Sequence, residues 1–320
     1  WETTTSWNFG IDFGFLNNRI SGSVDFYTRE TKDLLATVPV PAGMTTTNSM
    51  TRNIGTLRNI GVEFNVTARP VVTKDFTWTL GYNIGWNKNK ITALTGSADE
   101  DKSFTLDAEG NPASTSAGPI QVHKVGYPAN SFYVLEQVYG PDGNPLEGVY
   151  VDQNGDGKIG NEDLIINHSR DPKVTMTLSN TFNYKNWDFG ITLRASLGNY
   201  VYNAMRARMM NLSGLEGQGN ILNNVIDSDF YFTSATGMTN LVRSDYFVEN
   251  ASFLRCDNIT VGYTWDNLFR DSLRLRLFGA VQNPFVITKY SGLDPEVFSG
   301  VDNNAYPRPL TVSLGVVATF

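Results

Sequence analysis

The chain has 320 residues, of which 41% are hydrophobic, 18% charged and 12% aromatic. Its formal charge of -7 disfavours a nucleic-acid binder, which needs a basic face. One cysteine, Cys256, and two separated histidines, His123 and His168, exclude a disulfide framework and a Cys- or His-rich metal site.

No stretch reaches the roughly 20 apolar residues of a membrane helix. The mean hydropathy of -0.24 fits a soluble domain and a membrane β-barrel equally, because only alternate barrel residues face lipid. Strict alternation is the dominant signal in chain order. Trp7, Phe9, Ile11, Phe13 and Phe15 share one face, with Asn8, Gly10, Asp12 and Gly14 between them. Ile20, Gly22, Val24 and Phe26 follow, then Ile60 to Ala68 around Gly61, Glu63 and Asn65, then Phe76 to Trp86 around Thr77, Gly81 and Asn83. Val174, Met176, Leu178 and Phe182 repeat the pattern, interrupted by Asn180. Phe189 to Leu197, Ile259 to Trp265, Leu273 to Leu277 and Leu310 to Phe320 complete nine predicted strands.

The connections alternate as well. Asn17-Asn18, 71–75, 184–186 and 266–271 are short; 30–58, 88–172, 198–251 and 283–308 are long. Short turns at one rim and long loops at the other predict an all-β, transmembrane antiparallel barrel, because a compact soluble domain rarely carries four such loops. Phe13, Phe15, Phe76, Trp78, Phe182, Trp187, Phe189, Tyr263, Trp265 and Phe320 gather at the short-turn rim, as an interfacial girdle does; Trp7 and Trp86 belong to the opposite one. Nine strands do not close a single-chain barrel, where the number is normally even. The remaining strands are therefore expected upstream of Trp1, with residues 1–320 the C-terminal part and 88–172 a long extracellular loop.

The segment 152–163, DQNGDGKIGNED, places Asp152, Asn154 and Asp156 at positions 1, 3 and 5 of a calcium-type loop. Gly157 stands at the sharp turn, Lys158 offers its carbonyl, and Asp163, with Glu162 beside it, replaces the usual final Glu. A structural Ca²⁺ is expected here; the alternative is a metal-free turn. Tyr200, Tyr202 and Tyr231 are candidate ligand contacts, since sugars stack on rings and Tyr adds a hydroxyl. Asp12, Asp25, Glu63, Asp188, Arg194, Arg274 and Arg276 have lumen parity, where charge is tolerated; they are candidates for docking a plug. Cys256, by simple alternation, also falls to the lumen. No nucleophile elbow or phosphate loop is present, and no catalytic residue is assigned.

Three segments carry a resemblance: TRNIGTLRNIGVEFNVTA at 51–68, VYVDQNGDGKIGNEDL at 149–164 and ASFLRCDNITVGYTW at 251–265. With the terminal Phe320, their order and spacing resemble the C-terminal half of SusC-like TonB-dependent transporters of the Bacteroidetes outer membrane, over essentially the whole chain. The resemblance implies a barrel of about 22 strands plugged by its own N-terminal domain. It also implies coupling to the TonB complex through the N-terminal part, a SusD-like surface lipoprotein over the long loops, and an oligosaccharide or peptide ligand. It casts Phe320 as a signal for the outer-membrane assembly machinery. The alternatives are a soluble or surface-attached all-β glycan-binding or adhesin module with a calcium loop, and a hydrolase.

Overall fold

A computed structural model describes residues 1–39, 49–94, 103–105, 119–209, 243–268, 273–303 and 306–320. Nine long strands form one antiparallel sheet in strict chain order. They are β1 (Thr3–Phe15), β2 (Ile20–Pro39), β3 (Ser49–Val72), β4 (Phe76–Ala93), β5 (Val174–Tyr184), β6 (Trp187–Leu197), β7 (Phe253–Leu268), β8 (Leu273–Thr288) and β9 (Thr311–Thr319). All nine strands read from alternation are present.

Register converts the alternation of each strand into two continuous surfaces. Directly opposed residues share a face. One row therefore runs Ile11, Val24, Phe64, Ile84, Met176, Ala195, Leu254, Ile287 across eight strands, apolar throughout. On the other face a row runs Gly14, Ser21, Thr67, Gly81, Ser179, Thr192, Asn258, Gln282, Thr311 across nine strands, with no side chain larger than Gln and none apolar. A one-residue slip at any ladder would exchange the two surfaces, so the pattern itself fixes the register.

Asn180 is the polar exception on the apolar face. Its carbonyl Oδ1 accepts the Trp78 indole N–H at 3.0 Å, so neither group meets lipid unpaired. At the short-turn end the rings touch one another: Phe76 and Trp78 stack on Phe182, and Trp187 and Trp265 both contact Tyr263 edge-on.

The structure corrects two readings. The stretch 30–58 is not simply a loop: β2 and β3 continue their pairing as far as Pro39 and Ser49. The extension carries Arg29, Glu30, Thr31, Lys32 and Asp33, polar on both faces, so alternation gave no sign of it. A β-bulge between Cys256 and Asn258 also shifts parity within β7. Cys256 is opposed to Leu193 and Phe285, on the apolar side, and is fully buried there.

The packed interior of the chain lies in the long connections, not in the sheet. Ile120, Phe132, Val134, Leu135, Tyr150, Tyr202, Phe247 and Val301 form one buried cluster. It is held by a four-stranded sheet of 103–105, 121–124, 131–135 and 164–169, by the pairing of 200–202 with 248–250, and by a short helix, Ala204–Met209. Long connections of this size otherwise leave buried backbone unpaired; local sheets satisfy it.

Candidate functional site: the polar wall beneath the loops

The inner surface is lined by residues that β-geometry sends away from the apolar rows. Near its first edge, Asn8, Asp25, Tyr27, Arg29, Asn59, Glu63 and Asn87 surround a polar cavity of about 500 Å³. The Tyr27 hydroxyl crosses over β3 to donate to Asn87 Oδ1 at 3.0 Å, and Ser23 donates to Asp25 at 2.6 Å. Gly61 makes the crossing possible, since a Cβ there would lie 2.3 Å from the Tyr27 ring.

The densest charge cluster sits higher on the wall, under the loops. Arg194 of β6 donates to Asp257 of β7 at 3.1 Å and is bidentate to Glu296 at 2.7 and 3.0 Å. Arg255 of β7 donates to Asp294 at 2.6 Å, and Arg308 reaches both Glu296 (2.6 Å) and Asp294 (3.3 Å). Three guanidiniums thus face three carboxylates, two of which come from the 289–310 connection. The guanidiniums of Arg194 and Arg255 each lie 5.5 Å from the centroid of the Phe253 ring. Arg255 and Asp294 are buried, so removing either would strand a charge at a cost of about 3–5 kcal/mol. The exposed pairs contribute far less.

Beside this cluster lies a cavity of about 420 Å³, bordered by Arg170, Thr177, Arg194, Asn199, Glu296 and Phe298 among others. Phe298 is 95% exposed, with the Arg170 guanidinium 5.6 Å from its ring. An exposed ring beside hydrogen-bonding side chains suits a ligand that offers both an apolar face and polar groups. The sequence reading missed Phe298; the only cue was an aromatic next to Ser299-Gly300 inside a long connection.

The predicted site residues separate. Arg194 belongs to the charge cluster. Arg276 is bidentate to Asp188 at 3.0 and 2.6 Å, and Arg274 pairs with Asp266 at 2.9 Å in the open. These three arginines already hold carboxylates of this chain. Asp25 and Glu63 line the first cavity, and Asp12 stands on the same wall, opposite Ser23. Tyr200 stacks flat on His168, with centroids 3.6 Å apart. Tyr202 is corrected: it is fully buried in the loop core, where burial drives its phenol above the ordinary range, so it does not line a cavity. Tyr231 lies outside the described residues. Phe320 is 96% exposed just past the end of β9.

In the 152–163 loop the carboxylates are turned onto backbone amides. Asp152 accepts from Gly155 and Gly157 at 2.6 and 2.7 Å, Asn154 from Asp156 at 2.9 Å, Asp156 from Lys158 at 2.8 Å, and Asp163 from Gln153 and Gly160 at 2.9 and 2.7 Å. The Gly157 amide, with Gly155 helping, holds Asp152 below the usual carboxylate range. Gly155 and Gly157 take φ of +75° and +77°, the left-handed region the turn needs. The donor set is all hard oxygen, which suits Ca²⁺. Among the described residues, no three His, Cys, Asp or Glu side chains converge as a metal cluster.

The outer surface decides the environment of the sheet. Trp7, Phe9, Ile11, Phe26 and Trp86 are 75, 67, 56, 46 and 41% exposed, and Val261, Leu277 and Leu314 are 46, 46 and 84% exposed. Eight strands at about 4.8 Å and three rows at about 6.8 Å give roughly 800 Å² of apolar area. A soluble monomer's largest patch is about 300–600 Å². No second layer of the described residues covers it, which removes the β-sandwich basis of the soluble-module reading. Among the described residues no helix is long and apolar enough to cross a membrane, which says nothing of crossing by strands.

Comparison with known proteins agrees. A family model described as "TonB dependent receptor-like, beta-barrel" matches residues 1–283. TonB-dependent receptor SusC of Bacteroides thetaiotaomicron is 48% identical over all of this chain and 32% of its own length. TonB-dependent receptor P3 of Formosa agariphila is 29% identical over all of this chain and 34% of its own length. Among solved structures, that of the RagAB peptide transporter superposes with a TM-score of 0.78 at 25% identity, covering 100% of this chain and 36% of that one. The chain therefore spans about a third of the length of these relatives. They are named as receptors and transporters, not as enzymes.

Proposed function

The chain belongs to the TonB-dependent receptor-like β-barrel family, and we propose that it forms part of an importer carrying an oligosaccharide or a peptide across the outer membrane of a Bacteroidetes-type Gram-negative bacterium. The observation that carries this reading is a single sheet that is apolar and uncovered on one face, polar and charged on the other, and roofed at one end by packed loops. A ligand held on the Phe298–Arg194 side of the wall meets a ring, hydroxyls and amides, and both signs of charge. One structural neighbour is a peptide transporter, which favours a peptide; hydroxyl-rich stacking surfaces suit a sugar.

The rest of the mechanism comes from the family resemblance. A SusD-like lipoprotein closes over the long loops, the receptor's own plug fills the lumen, and the TonB complex drives plug rearrangement and release. The charges most available to a plug are Asp12, Asp25 and Glu63, because Arg194, Arg274 and Arg276 are already paired.

Uptake of labelled oligosaccharide and peptide mixtures by cells carrying the full-length receptor tests the proposal. Accumulation should require both TonB and the proton gradient, and Phe298→Ala should lower ligand affinity about tenfold while leaving surface abundance unchanged. Accumulation that persists without TonB would overturn it.

Ca²⁺ bound by Asp152, Asn154, Asp156, the Lys158 carbonyl and Asp163 belongs to the same proposal. Supporting it are the all-oxygen donors and their spacing. Ca²⁺ should raise the melting temperature of the chelator-treated receptor, and Asp152→Ala should abolish that rise. Equal melting in Ca²⁺ and chelator would exclude the ion.

A further inference from the structure

The apolar surface ends abruptly at the long-loop side. The outward row through Phe9, Phe26, Val62, Trp86, Val174 and Leu197 is wholly apolar. The next outward row reads Trp7, Thr28, Ile60, Lys88, and the next Thr5, Glu30, Arg58, Lys90. Hydrocarbon-compatible side chains therefore give way to basic ones within two rows, at the level where the headgroups of a bilayer must lie.

A pocket of about 410 Å³ opens at this boundary, where β4 runs past the start of β5. Its walls include Trp86, Lys88, Tyr127, His168, Lys173 and Tyr200. Trp86 and Tyr127 are each 41% exposed, and the His168–Tyr200 stack forms a flat side. The Lys124 ammonium lies 6.0 Å from the centroid of the Tyr127 ring. One carboxylate borders the pocket, Asp171. It is already engaged, accepting from Asn89 Nδ2 at 2.7 Å and lying 3.7 Å from Arg170. Glu30, the acid on the outward row, is paired with Lys32 at 3.3 Å. Among the described residues this leaves Arg58, Lys88, Lys90 and Lys173 without a carboxylate, on a chain whose net charge is -7.

We propose that this pocket seats the phosphate-bearing headgroup of an outer-leaflet glycolipid, whose acyl chains lie on the apolar rows below. Charge complementarity selects an anion. The aromatic walls accept the faces of headgroup sugars. Trp86 belongs both to the pocket and to the apolar outward row, and this shared ring, with Lys88 one row above it, favours a lipid over a solute. The inference rests on the outer-membrane reading above.

Binding of lipid A to the detergent-solubilised full-length receptor, counted as adducts by native mass spectrometry, tests it. At about 1 kcal/mol per basic side chain near an anionic surface, K88Q/K173Q should weaken binding roughly 25-fold. K88R/K173R should stay near wild type, and K185Q, at the opposite rim, should have no effect. Dephosphorylated lipid A should bind at least tenfold more weakly than lipid A, and inorganic phosphate should not displace it. Equal adducts in K88Q/K173Q and wild type, equal binding of the dephosphorylated lipid, or displacement by inorganic phosphate would each overturn the lipid site while leaving the importer reading intact. A receptor that stays monodisperse without detergent would overturn both.

Discussion

Gly262 shows how one missing side chain shapes the wall. It lies on β7 between Asp188 of β6 and Arg276 of β8, and their ion pair passes over it. A Cβ at this position would stand 2.6 Å from the Asp188 carboxylate and 2.7 Å from the Arg276 guanidinium. Gly262→Ala should therefore push the pair apart, at a cost of no more than about 1 kcal/mol, because both groups are the part-exposed ends of side chains that can swing aside. Heat-dependent migration of the unboiled receptor on gels would report this as a lower unfolding temperature. In Asp188→Ala the pair is already lost and the Arg276 side chain is free to swing aside, so adding Gly262→Ala should cost little more. The glycine was visible in the alternation, but only as one more small lumen residue. Its role depends on partners 74 residues upstream (188 to 262) and 14 downstream (262 to 276), which no local pattern reports.

At the level of elements, legibility followed amphipathicity. Every sheet strand whose two faces differ in polarity was found from its sequence, because lipid on one side and a wet lumen on the other impose period two. The outer halves of β2 and β3 rise past the lipid and lose that contrast, so they read as loop. The bulge at Asp257 was hidden because an inserted residue shows in hydrogen bonding before it shows in composition. The loop core was equally opaque: its strands are three to six residues long, and its buried cluster joins side chains as far apart as Ile120 and Val301. Tyr202 was misread for that reason; an aromatic in a long connection looks the same whether it lines a cavity or fills a core.

One loop element carries a pH signature. His123, on the 121–124 strand, accepts the Asn130 N–H at Nδ1, and burial, aided by the nearby Arg170, lowers its pKa to about 4. An unfolded histidine titrates near 6.5. The folded loops thus bind fewer protons than the unfolded ones between these values. Their stability is complete above about pH 6.5 and falls as the pH drops toward 4, by on the order of 2 kcal/mol at pH 5. The protection of residues 119–135, taken relative to the intrinsic amide exchange rate at each pH, should fall between pH 7 and pH 5 in wild type and much less in His123→Gln. Unchanged protection in wild type across this range would exclude the linkage.

For the molecule as a whole, the two surfaces of the sheet make opposite demands. Val261 faces outward at mid-strand and Thr260 inward beside it. Val261→Arg should cost about 2–4 kcal/mol and reduce the assembled receptor, whereas Thr260→Arg should be tolerated. Urea unfolding of receptor refolded into lipid vesicles would separate the two. Equal penalties would mean that the apolar face does not contact lipid.

The placement of the buried cluster entirely within the long connections has an evolutionary corollary. A roof that keeps its own interior does not draw its cohesion from the staves beneath it. Such a roof is exchangeable: transplanting the 94–173, 198–252 and 289–310 connections together onto the staves of a relative should carry cargo preference with them, while moving any one of them alone would split the interior and yield neither parent's selectivity.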